Sequence, residues 1–403
     1  MLREKNILIG ITGSIAAYKI PLLVRLLVKE RANVRVIMTP SARDFVTPLT
    51  LSTLSKHPVW TEPFNPVDGD WNSHVELGRW ADLFLLAPAS ANTLAKMAHG
   101  IADNFLMTTY LSAKCPVFFA PAMDLDMYQH PSTQNNIRIL QEMGHSLIEP
   151  QTGELASGLC GAGRMEEPER ILQAIALALA KKDMEGIKAL VTAGPTFEPI
   201  DPVRFVGNHS SGKMGFALAE KLAGRGAEVS LICGPTSLET NFPGIYRIDV
   251  TTAAEMKEAV LNLMASQHVI IMAAAVADFT PEAYLPEKIK KGSRNALNLK
   301  LIPTTDILAQ IGQKKDPHQI IVGFSLETHN ARENAIRKLN EKNADLMVLN
   351  SLQDSGAGFG LDTNKISIFR KDGSEIAFQL KPKEEVADDI ITEVLRQLSG
   401  PTQ

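Results

Sequence analysis

The feature that most constrains this chain is an alternation of short apolar runs with amphipathic helical stretches, and it occurs twice. The first half opens as strand, glycine-containing turn, helix and strand in NILIGITGSIAAYKIPLLVRLLVKERANVRVIM. The second half opens with KALVTAGPTFEPI and continues into KMGFALAEKLAGRGAEVSLIC, which is strand, loop, helix and strand. Such alternation predicts parallel sheets that are covered by helices.

A charged, glycine-terminated stretch at 181–186 separates the two halves and predicts a domain boundary. A chain of 403 residues is long enough for two cores. We therefore expect an α/β protein with two doubly wound, mostly parallel-sheet domains, at 1–183 and 186–403. The run KISIFRKDGSEIAFQL predicts a β-hairpin, and 383–398 predicts a closing helix. Ligands of such open sheets bind at the carboxyl ends of the strands.

Composition excludes several classes of function. Hydrophobic residues make up 45% and charged residues 21% of the chain, with a net charge of −4, so neither nucleic acid nor a membrane surface is an expected partner. No run approaches the ~18 apolar residues of a membrane span, and no signal peptide precedes the first strand. Three widely spaced cysteines form neither a disulfide framework nor a metal site, which indicates a reduced, cytoplasmic protein.

The stretch GNHSSGKM at 207–214 is one residue short of a phosphate-binding P-loop. A P-loop follows its strand directly, whereas this strand ends near Ala193, and Met214 replaces the serine or threonine that holds Mg²⁺. A thioether is a poor ligand for Mg²⁺. We interpret the stretch as a polar loop that opens a helix near Lys213, where free backbone N–H groups suit an anion or a polar substrate. An ordinary capped helix start is the alternative.

The wider stretch TAGPTFEPIDPVRFVGNHSSGKMG resembles the signature of phosphopantothenate–cysteine ligases, with Phe197 where many members carry arginine. The motifs AAAVADF, PEKIKK and VGFSLET, and the helix lysines before ADLMVLN, follow in the order of that family. In the first half, GITGSIAAYK, NSHVEL, APASANTLAKMAHGIADN, PAMDLDMY and GLCGAGRM resemble the flavin-dependent phosphopantothenoylcysteine decarboxylases. Nearly the whole chain thus resembles the bifunctional enzymes of bacterial coenzyme A biosynthesis.

This resemblance implies two consecutive reactions. CTP activates 4′-phosphopantothenate as an acyl-cytidylate, which cysteine then attacks, and the product is decarboxylated to 4′-phosphopantetheine. Decarboxylation needs an electron sink, which non-covalently bound FMN supplies by oxidising the C–S unit of the cysteinyl group. A glycine turn is a weak motif alone, but a turn after the first strand is where a phosphate meets helix N–H groups. The FMN-binding residues implied by the resemblance are Gly13, Ser14, Ile15, Ser41, Ser90, Ala91, Asn92, Thr93 and Ala122.

His74 lies in the polar segment WNSHVEL, so from the sequence alone it is either a surface histidine or a base that acts near neutral pH. The resemblance implies the catalytic base. Asp124 replaces the asparagine that binds the substrate carboxylate in the family, and an ionised aspartate repels that carboxylate unless it is protonated or paired, for example with Arg164. We expect Asp124, Met127 and Arg164 to bind substrate.

Ser157 stands where the family has a proton-donating cysteine, and Cys160 follows three residues later in a glycine-rich stretch. A thiol with its ordinary pKa of about 8.5 donates a proton at neutral pH far better than a serine hydroxyl does. We predict that Cys160 is the donor, the alternative being an inert free cysteine.

In the second half, Lys288, Lys290 and Lys291 form a basic cluster that is either a solvated face or part of a triphosphate site. Asp278, at the end of an apolar run, is either a helix cap or a ligand-binding group. By resemblance, Asn208 acts on the acyl-cytidylate. The implied residues for CTP with Mg²⁺ are Ala273, Ala274, Asp278, Lys288, Thr305, Asp306, Phe324, Lys338 and Lys342. The sequence does not identify the ligands of the metal.

Two other functions were weighed. The first is a chain whose flavin domain has become a regulatory or structural module, as the changes at Asp124 and Ser157 allow; the presence of His74 argues against it. The second is a nicotinamide oxidoreductase, but a GxGxxG fingerprint followed by a ribose-binding acid is missing. By resemblance alone we also expect a homo-oligomer, since related flavin domains form trimers and related ligase domains form dimers.

Overall fold

The structure is a computed structural model that describes residues 2–64, 69, 71–240, 242–290, 297–327, 329–351 and 360–399. The chain divides into two compact units, Met1–Ala180 and Lys181–Gln403. Of the predicted basic cluster, Lys291 lies outside the described residues. No helix in the described ranges is both long enough and apolar enough to cross a membrane.

The first unit alternates strands and helices along the chain, with short 3₁₀-helical segments at Ile15–Lys19 and Pro40–Asp44. Its strands are β1 (Asn6–Ile11), β2 (Asn33–Met38), β3 (Val59–Trp60), β4 (Leu83–Ala89), β5 (Val117–Pro121), β6 (Ser146–Leu147), β7 (Gln151–Glu154) and β8 (Cys160–Arg164). Its helices are α1 (Ile20–Lys29), α2 (Pro48–Ser55), α3 (His74–Trp80), α4 (Ala91–His99), α5 (Phe105–Ser112), α6 (Leu125–Gln129), α7 (Pro131–Glu142) and α8 (Pro168–Leu179).

Six strands of the first unit form a parallel sheet in the order β3-β2-β1-β4-β5-β6. The strand order reverses between β1 and β4, and such a reversal opens a crevice at the carboxyl ends of the two strands. Ile7 and Ile9 pack into one hydrophobic cluster and Leu8 into another, because neighbouring side chains of a strand point to opposite faces. Both faces are therefore covered, which leaves the strand ends for polar groups.

The second unit follows the same plan, with a short 3₁₀ segment at Met264–Ser266. Its strands are β9 (Lys188–Ala193), β10 (Phe197–Pro199), β11 (Phe205–Gly207), β12 (Glu228–Cys233), β13 (Ile245–Asp249), β14 (Val269–Met272), β15 (Phe279–Pro281), β16 (Leu301–Pro303), β17 (Ile320–Glu327), β18 (Leu346–Ser351), β19 (Thr363–Asn364), β20 (Ile366–Arg370), β21 (Glu375–Ala377) and β22 (Lys381–Pro382). Its helices are α9 (Lys213–Gly224), α10 (Ala253–Leu263), α11 (Ile307–Lys314), α12 (Ala331–Glu341) and α13 (Lys383–Leu398).

Eight of these strands form the main sheet of the second unit, in the order β13-β12-β9-β14-β17-β18-β20-β21. The pairs from β13 to β18 are parallel, and β18, β20 and β21 pair antiparallel. The strand order reverses between β9 and β14. The predicted fold class, two doubly wound α/β domains with mostly parallel sheets, is confirmed, as is the hairpin formed by β20 and β21.

Gly215, in the first turn of α9, allows this helix to lie directly against β9. A Cβ atom at this position would lie 2.5 Å from the Ala193 Cβ atom and 3.0 Å from the Thr192 carbonyl oxygen. The close contact fixes the start of α9, and with it the preceding polar loop, against the end of β9.

Candidate functional site

The first unit contains a cavity of about 630 Å³ at the carboxyl ends of β1, β4 and β5. The turn after β1, the start of α4 and the loop after β5 form much of its wall, and the β7–β8 hairpin supplies the rest. The predicted residues that line it are Gly13, Ser14, Ile15, Ser90, Ala91, Ala122, Asp124, Met127 and Arg164.

Hydrogen bonds tie the ends of β1 and β4 together in this wall. The Thr12 hydroxyl donates to the Pro88 carbonyl oxygen over 2.7 Å and accepts from the Ser90 backbone N–H over 3.0 Å. Ser90 caps α4, and its hydroxyl lies 3.2 Å from the Thr93 hydroxyl. The cavity thus has a capped helix start beside the end of a buried strand, an arrangement that suits a phosphate.

The turn after β1 passes close to the segment after β2. A Cβ atom at Gly13 would lie 2.5 Å from the Ser41 Oγ atom, so only glycine fits there without a shift of Ser41. Ser41, Asn92 and Thr93 do not line the cavity, although Ser41 touches the Gly13 turn and Thr93 is buried behind Ser90. Of the residues predicted to bind FMN, Asn92 and Thr93 therefore lie behind or beside the wall, and Gly13 lets the turn after β1 lie against Ser41.

Asp124 does not form the suggested pair with Arg164. The Asp124 carboxylate caps α6 and accepts from the Leu125 backbone N–H over 2.6 Å. Arg164 instead donates to the Glu167 carboxylate over 2.9 Å. The cavity therefore presents a half-buried carboxylate that no basic side chain of the described residues neutralises.

Glu167 also binds Lys19, whose ammonium group is almost fully buried. Lys19 Nζ lies 2.9 Å from the Glu167 carboxylate and donates to the Met165 carbonyl oxygen over 2.8 Å. The hydrogen bond from Lys19 is the main cause that lowers the pKa of Glu167, and the charges of Lys19 and Arg164 add to it. This network joins the 3₁₀ segment after β1 to the chain after β8.

Of the two candidate proton donors, Ser157 lines the cavity and Cys160 does not. Ser157, in the β7–β8 turn, lines the cavity, whereas Cys160 begins β8, pairs with Glu154 in register and is exposed outside the lining. The glycine-rich stretch that contains Cys160 is a strand, which Cys160 begins, and successive side chains of a strand alternate in direction. The role of Cys160 stays a prediction.

His74 is the first residue of α3, which Ser73 caps by accepting from the Glu76 backbone N–H. The His74 ring lies edge-on to Trp71, with 5.8 Å between ring centroids. His74 does not line the cavity that contains Asp124. Within one copy of the chain, the predicted base and the predicted substrate-binding groups are not brought together.

The second unit has a cavity of about 760 Å³ whose walls are the loop before α9, the segment after β14, the start of α11 and residues of β17 and α12. The predicted residues that line it are Asn208, Ala273, Ala274, Asp278, Thr305, Asp306, Phe324, Lys338 and Lys342. Asn208 Nδ2 donates to the carbonyl oxygens of Ala275 and Val276, both over 3.1 Å. The polar loop of GNHSSGKM is thereby fixed against the end of β14.

The two helix lysines in this cavity already have carboxylate partners. Lys338 Nζ lies 2.7 Å from the Glu327 carboxylate, and Lys342 pairs with Asp306. Lys288 is exposed and does not line the cavity; the neighbouring Ile289 is bound by Asp201 and Arg204. The cation cluster predicted for a triphosphate is thus divided between paired lysines inside the cavity and Lys288 outside it.

Two cavity lysines were missed by the sequence analysis as candidates. Lys213 Nζ donates to the Gly360 carbonyl oxygen over 2.9 Å and to the Asp362 carboxylate over 2.6 Å. Lys383 is 7% exposed and donates to the Leu361 carbonyl oxygen. Burial and the nearby Lys213 charge lower the pKa of Lys383. Lys213 lies in GNHSSGKM and could have been proposed; Lys383, as the first residue of a helix, carries no such signal.

The Lys19–Glu167 ion pair, which joins the segment after β1 to the chain after β8, can be tested through its effect on stability. Since the pKa of Glu167 is lowered on folding, its contribution to stability is complete above its unfolded pKa of about 4.3 and is lost as the pH falls through the folded value. We expect Glu167→Gln to lower the free energy of unfolding at pH 7 by about 1–3 kcal/mol, less than a fully buried pair because Glu167 is partly exposed.

Thermal unfolding of both proteins between pH 7 and pH 3 measures this effect. The difference in midpoint should shrink as the pH falls below about 4.3. Glu142→Gln, which removes an exposed pair with Arg138, is the matched control and should change little at any pH. A pH-independent difference for Glu167→Gln would contradict the assigned ion pair.

Comparison with known proteins connects both units to one family. The Flavoprotein family model matches residues 1–180, and the DNA/pantothenate metabolism flavoprotein C-terminal domain model matches residues 184–398. A "Coenzyme A biosynthesis bifunctional protein CoaBC" of Bacillus subtilis (strain 168) is 45% identical over 397 residues, with 98% of this chain and 97% of the relative covered.

Two further similarities add detail. A "Cysteine/Cysteine sulfinic acid decarboxylase" of an unknown prokaryotic organism is 54% identical over 355 residues, which is 87% of this chain and 99% of the relative. A crystal structure of the C-terminal domain of a CoaBC protein is 38% identical, with a TM-score of 0.47, over 54% of this chain and 99% of that domain. Because both domain models match in order and the relatives match nearly from end to end, the chain belongs to the family of bifunctional coenzyme A biosynthesis flavoproteins.

Proposed function

We propose that this chain catalyses two consecutive steps of coenzyme A biosynthesis. The second unit ligates cysteine to 4′-phosphopantothenate with CTP, and the first unit decarboxylates the product to 4′-phosphopantetheine. The observation that carries this proposal is the near full-length similarity to a bifunctional relative. The two separate cavities, each at the carboxyl edge of a parallel sheet, support it.

In the ligase reaction, the 760 Å³ cavity binds CTP and the pantothenate carboxylate. Lys338 in α12 and Lys342 just after its end approach the nucleotide, and Phe324 offers an apolar surface in the same cavity. Mg²⁺ accompanies the triphosphate and offsets its charge. Within the described residues no cluster of three histidine, cysteine or acidic side chains could hold a metal, so we assign no protein ligands to it.

Attack of the pantothenate carboxylate on CTP gives an acyl-cytidylate and releases pyrophosphate. The Asn208 amide, held against the end of β14, interacts with this intermediate, and Lys288 stabilises the negative charge that develops on the pyrophosphate. The cysteine amine then displaces CMP. Lys288 thus acts on charge that appears only during the reaction, which is the condition for a rate effect.

In the decarboxylase reaction, the Gly13–Ile15 turn, Ser90, Ala91 and Ala122 hold FMN in the 630 Å³ cavity, where the close approach of Gly13 to Ser41 fits a phosphate-binding turn. FMN supplies the electron sink that loss of CO₂ from a cysteinyl group requires. Met127 and Arg164 bind the substrate beside it, and Asp124, which has no basic partner among the described residues, lies in the same wall. Cys160 donates the final proton, for which Ser157 is too weak an acid; because Cys160 lies outside the cavity lining, this role requires the β7–β8 hairpin to move towards the substrate.

His74 accepts a proton at the substrate, and we propose that it does so in a second copy of the chain. In its own copy, His74 does not line the cavity, so an oligomer in which α3 of one copy faces the cavity of another brings the groups together. This is the reason to expect a homo-oligomer. A cytoplasmic location fits the three free thiols of the chain.

A second candidate function is decarboxylation of free cysteine or its sulfinic acid by the first unit. The 54% identity to a relative with that name favours it, as does the unneutralised Asp124 carboxylate, since a carboxylate suits the free ammonium group of an amino acid better than an acylated amide. The same flavin chemistry would act on the smaller substrate.

One incubation separates the two candidates. The flavin-loaded protein is supplied with 4′-phosphopantothenate, cysteine, CTP and Mg²⁺, and the products are followed by mass spectrometry. We expect 4′-phosphopantetheine, CMP, pyrophosphate and CO₂ in equal amounts. In a parallel incubation with cysteine alone, formation of cysteamine at a comparable rate would support the second candidate, and absence of ligated product in the first would refute our main proposal.

Lys288→Gln should lower ligation by on the order of 10²–10³-fold, because one charge near a departing pyrophosphate is worth a few kcal/mol. Decarboxylation of supplied phosphopantothenoylcysteine and the yellow colour should be unchanged. Lys257→Gln, a cationic change on α10 away from the cavity, is the matched control. Normal ligation by the Lys288 variant would mean that the basic cluster is only a solvated face.

His74→Asn should keep its flavin but lose decarboxylation, since an amide hydrogen-bonds but does not accept a proton at neutral pH. Mixed with Arg164→Ala chains, which keep His74 but lose a substrate-binding side chain and should be inactive alone, and then reassembled, it should regain part of the activity through sites composed of two copies. Full activity of His74→Asn would show that the base lies elsewhere. No recovery in the mixture would show that His74 acts within its own copy.

A further inference from the structure

The turn between β10 and β11 contains an aspartate that binds a distant part of the chain. Asp201 has a side chain that is 0% exposed, and its Oδ1 atom accepts from the backbone N–H groups of Val203 and Arg204, each over 2.8 Å. These two bonds close the turn locally. The other carboxylate oxygen remains for longer-range contacts.

Asp201 Oδ2 accepts from the Arg204 guanidinium over 2.6 Å and from the Ile289 backbone N–H over 3.1 Å. Arg204 in turn donates to the Ile289 carbonyl oxygen over 3.2 Å. The backbone of Ile289 is thus bound on both its N–H and its C=O by one ion pair. A third bond, from the Leu285 N–H to the Ile200 carbonyl oxygen over 3.0 Å, holds the start of the same segment.

Lys288 immediately precedes the residue that is bound in this way. On the other side, β11 leads directly into Asn208, whose amide is bound to the segment after β14. The 201–204 turn therefore connects the two groups to which we assign chemistry in the ligase reaction. Burial alone would raise the pKa of Asp201, but hydrogen bonds from Ile289, Val203 and Arg204 and the Arg204 charge lower it to about 2.

We propose that Asp201 is a positioning residue of the ligase reaction, which fixes the backbone at Ile289 and thereby limits the positions that the neighbouring Lys288 can reach. This inference rests on the proposed ligase function. Asp201 itself does not line the cavity and touches no substrate. The hydrogen bonds that close the turn involve only Oδ1. The bond from the Ile289 N–H to Oδ2, 88 positions away, therefore does more than stabilise the local turn.

Asp201→Asn separates the local turn, which it should keep, from the contact with Ile289, which it should lose. An asparagine oxygen still accepts from Val203 and Arg204, whereas its NH₂ group cannot accept from the Ile289 N–H and faces the Arg204 guanidinium donor to donor. The matched control is Asp345→Asn. Asp345 is also largely buried, accepts from the Ile321 N–H over 2.7 Å and pairs with Lys315 over 2.6 Å, but it lies outside the cavity lining.

Hydrogen–deuterium exchange gives a measurement that does not depend on activity. In Asp201→Asn the Ile289 amide should exchange faster than in the wild type, while the Leu285 amide, which bonds to a backbone carbonyl, changes less. Asp345→Asn should leave both amides unchanged. Equal exchange of Ile289 in wild type and Asp201→Asn would overturn the proposed contact.

CTP-dependent pyrophosphate release measures the consequence for the reaction. Asp201→Asn should lower kcat on the order of 10²-fold, as expected for a displaced catalytic group, with a smaller change in KM and normal decarboxylation of supplied phosphopantothenoylcysteine. In a Lys288→Gln background the same change should have almost no further effect, because Asp201 acts through Lys288. The Asp345 control should release pyrophosphate normally.

Two outcomes are distinguished. If wild type releases pyrophosphate but Asp201→Asn does so equally well, or lowers the rate by the same factor with and without Lys288, the positioning role is wrong and the proposed function stands. If wild type releases no pyrophosphate with CTP and phosphopantothenate, the proposed function fails and the positioning role fails with it.

Discussion

The burial of both faces of each parallel sheet is the constraint on which the rest of the structure depends. Side chains along β1, β4, β9 and β14 pack into helices on either side, so polar groups have no place along the strands. They collect at the carboxyl ends, where the strand order reverses and a crevice opens. Both cavities occupy this position: the segments after β1 and β4 supply Gly13, Ser14, Ile15, Ser90 and Ala91 to the first, and the segment after β14 supplies Ala273, Ala274 and Asp278 to the second.

Much of this could be predicted from the sequence, because it depends on local patterns. The alternation of apolar runs and helices predicts the fold class, and loops after predicted strands predict which residues share a cavity. Gly13 and Gly215 lie where the backbone comes too close to Ser41 and to Ala193 for a larger side chain. Both glycines are part of the sequence motifs, so the sequence shows these positions directly. The family resemblance contributed roles for individual residues, which periodicity alone does not provide.

The remaining features depend on contacts between residues that are distant in sequence. Glu167 contacts both Arg164 and the buried Lys19, which lies almost 150 positions earlier in the sequence. Nothing near Asp124 in the sequence indicates that Arg164 already has this partner. The place of His74 outside its own cavity follows from the way in which α3 packs. Lys383 reaches the second cavity only because α13 begins next to Asp362, which is a result of the complete fold.

The pairing of cations around the second cavity has a consequence for electroneutrality. Lys338, Lys342, Arg337 and Lys213 each contact a carboxylate, whereas Lys383 donates to a backbone carbonyl, so most of the cations that line the cavity are already compensated. Such pairing avoids the cost of gathering bare ammonium groups at one place. A polyanion that enters must then separate these pairs or bring its own counter-ion. Under the proposed ligase function, a nucleotide complexed with a divalent cation would meet this condition with the pairs intact, whereas a bare triphosphate would have to separate them.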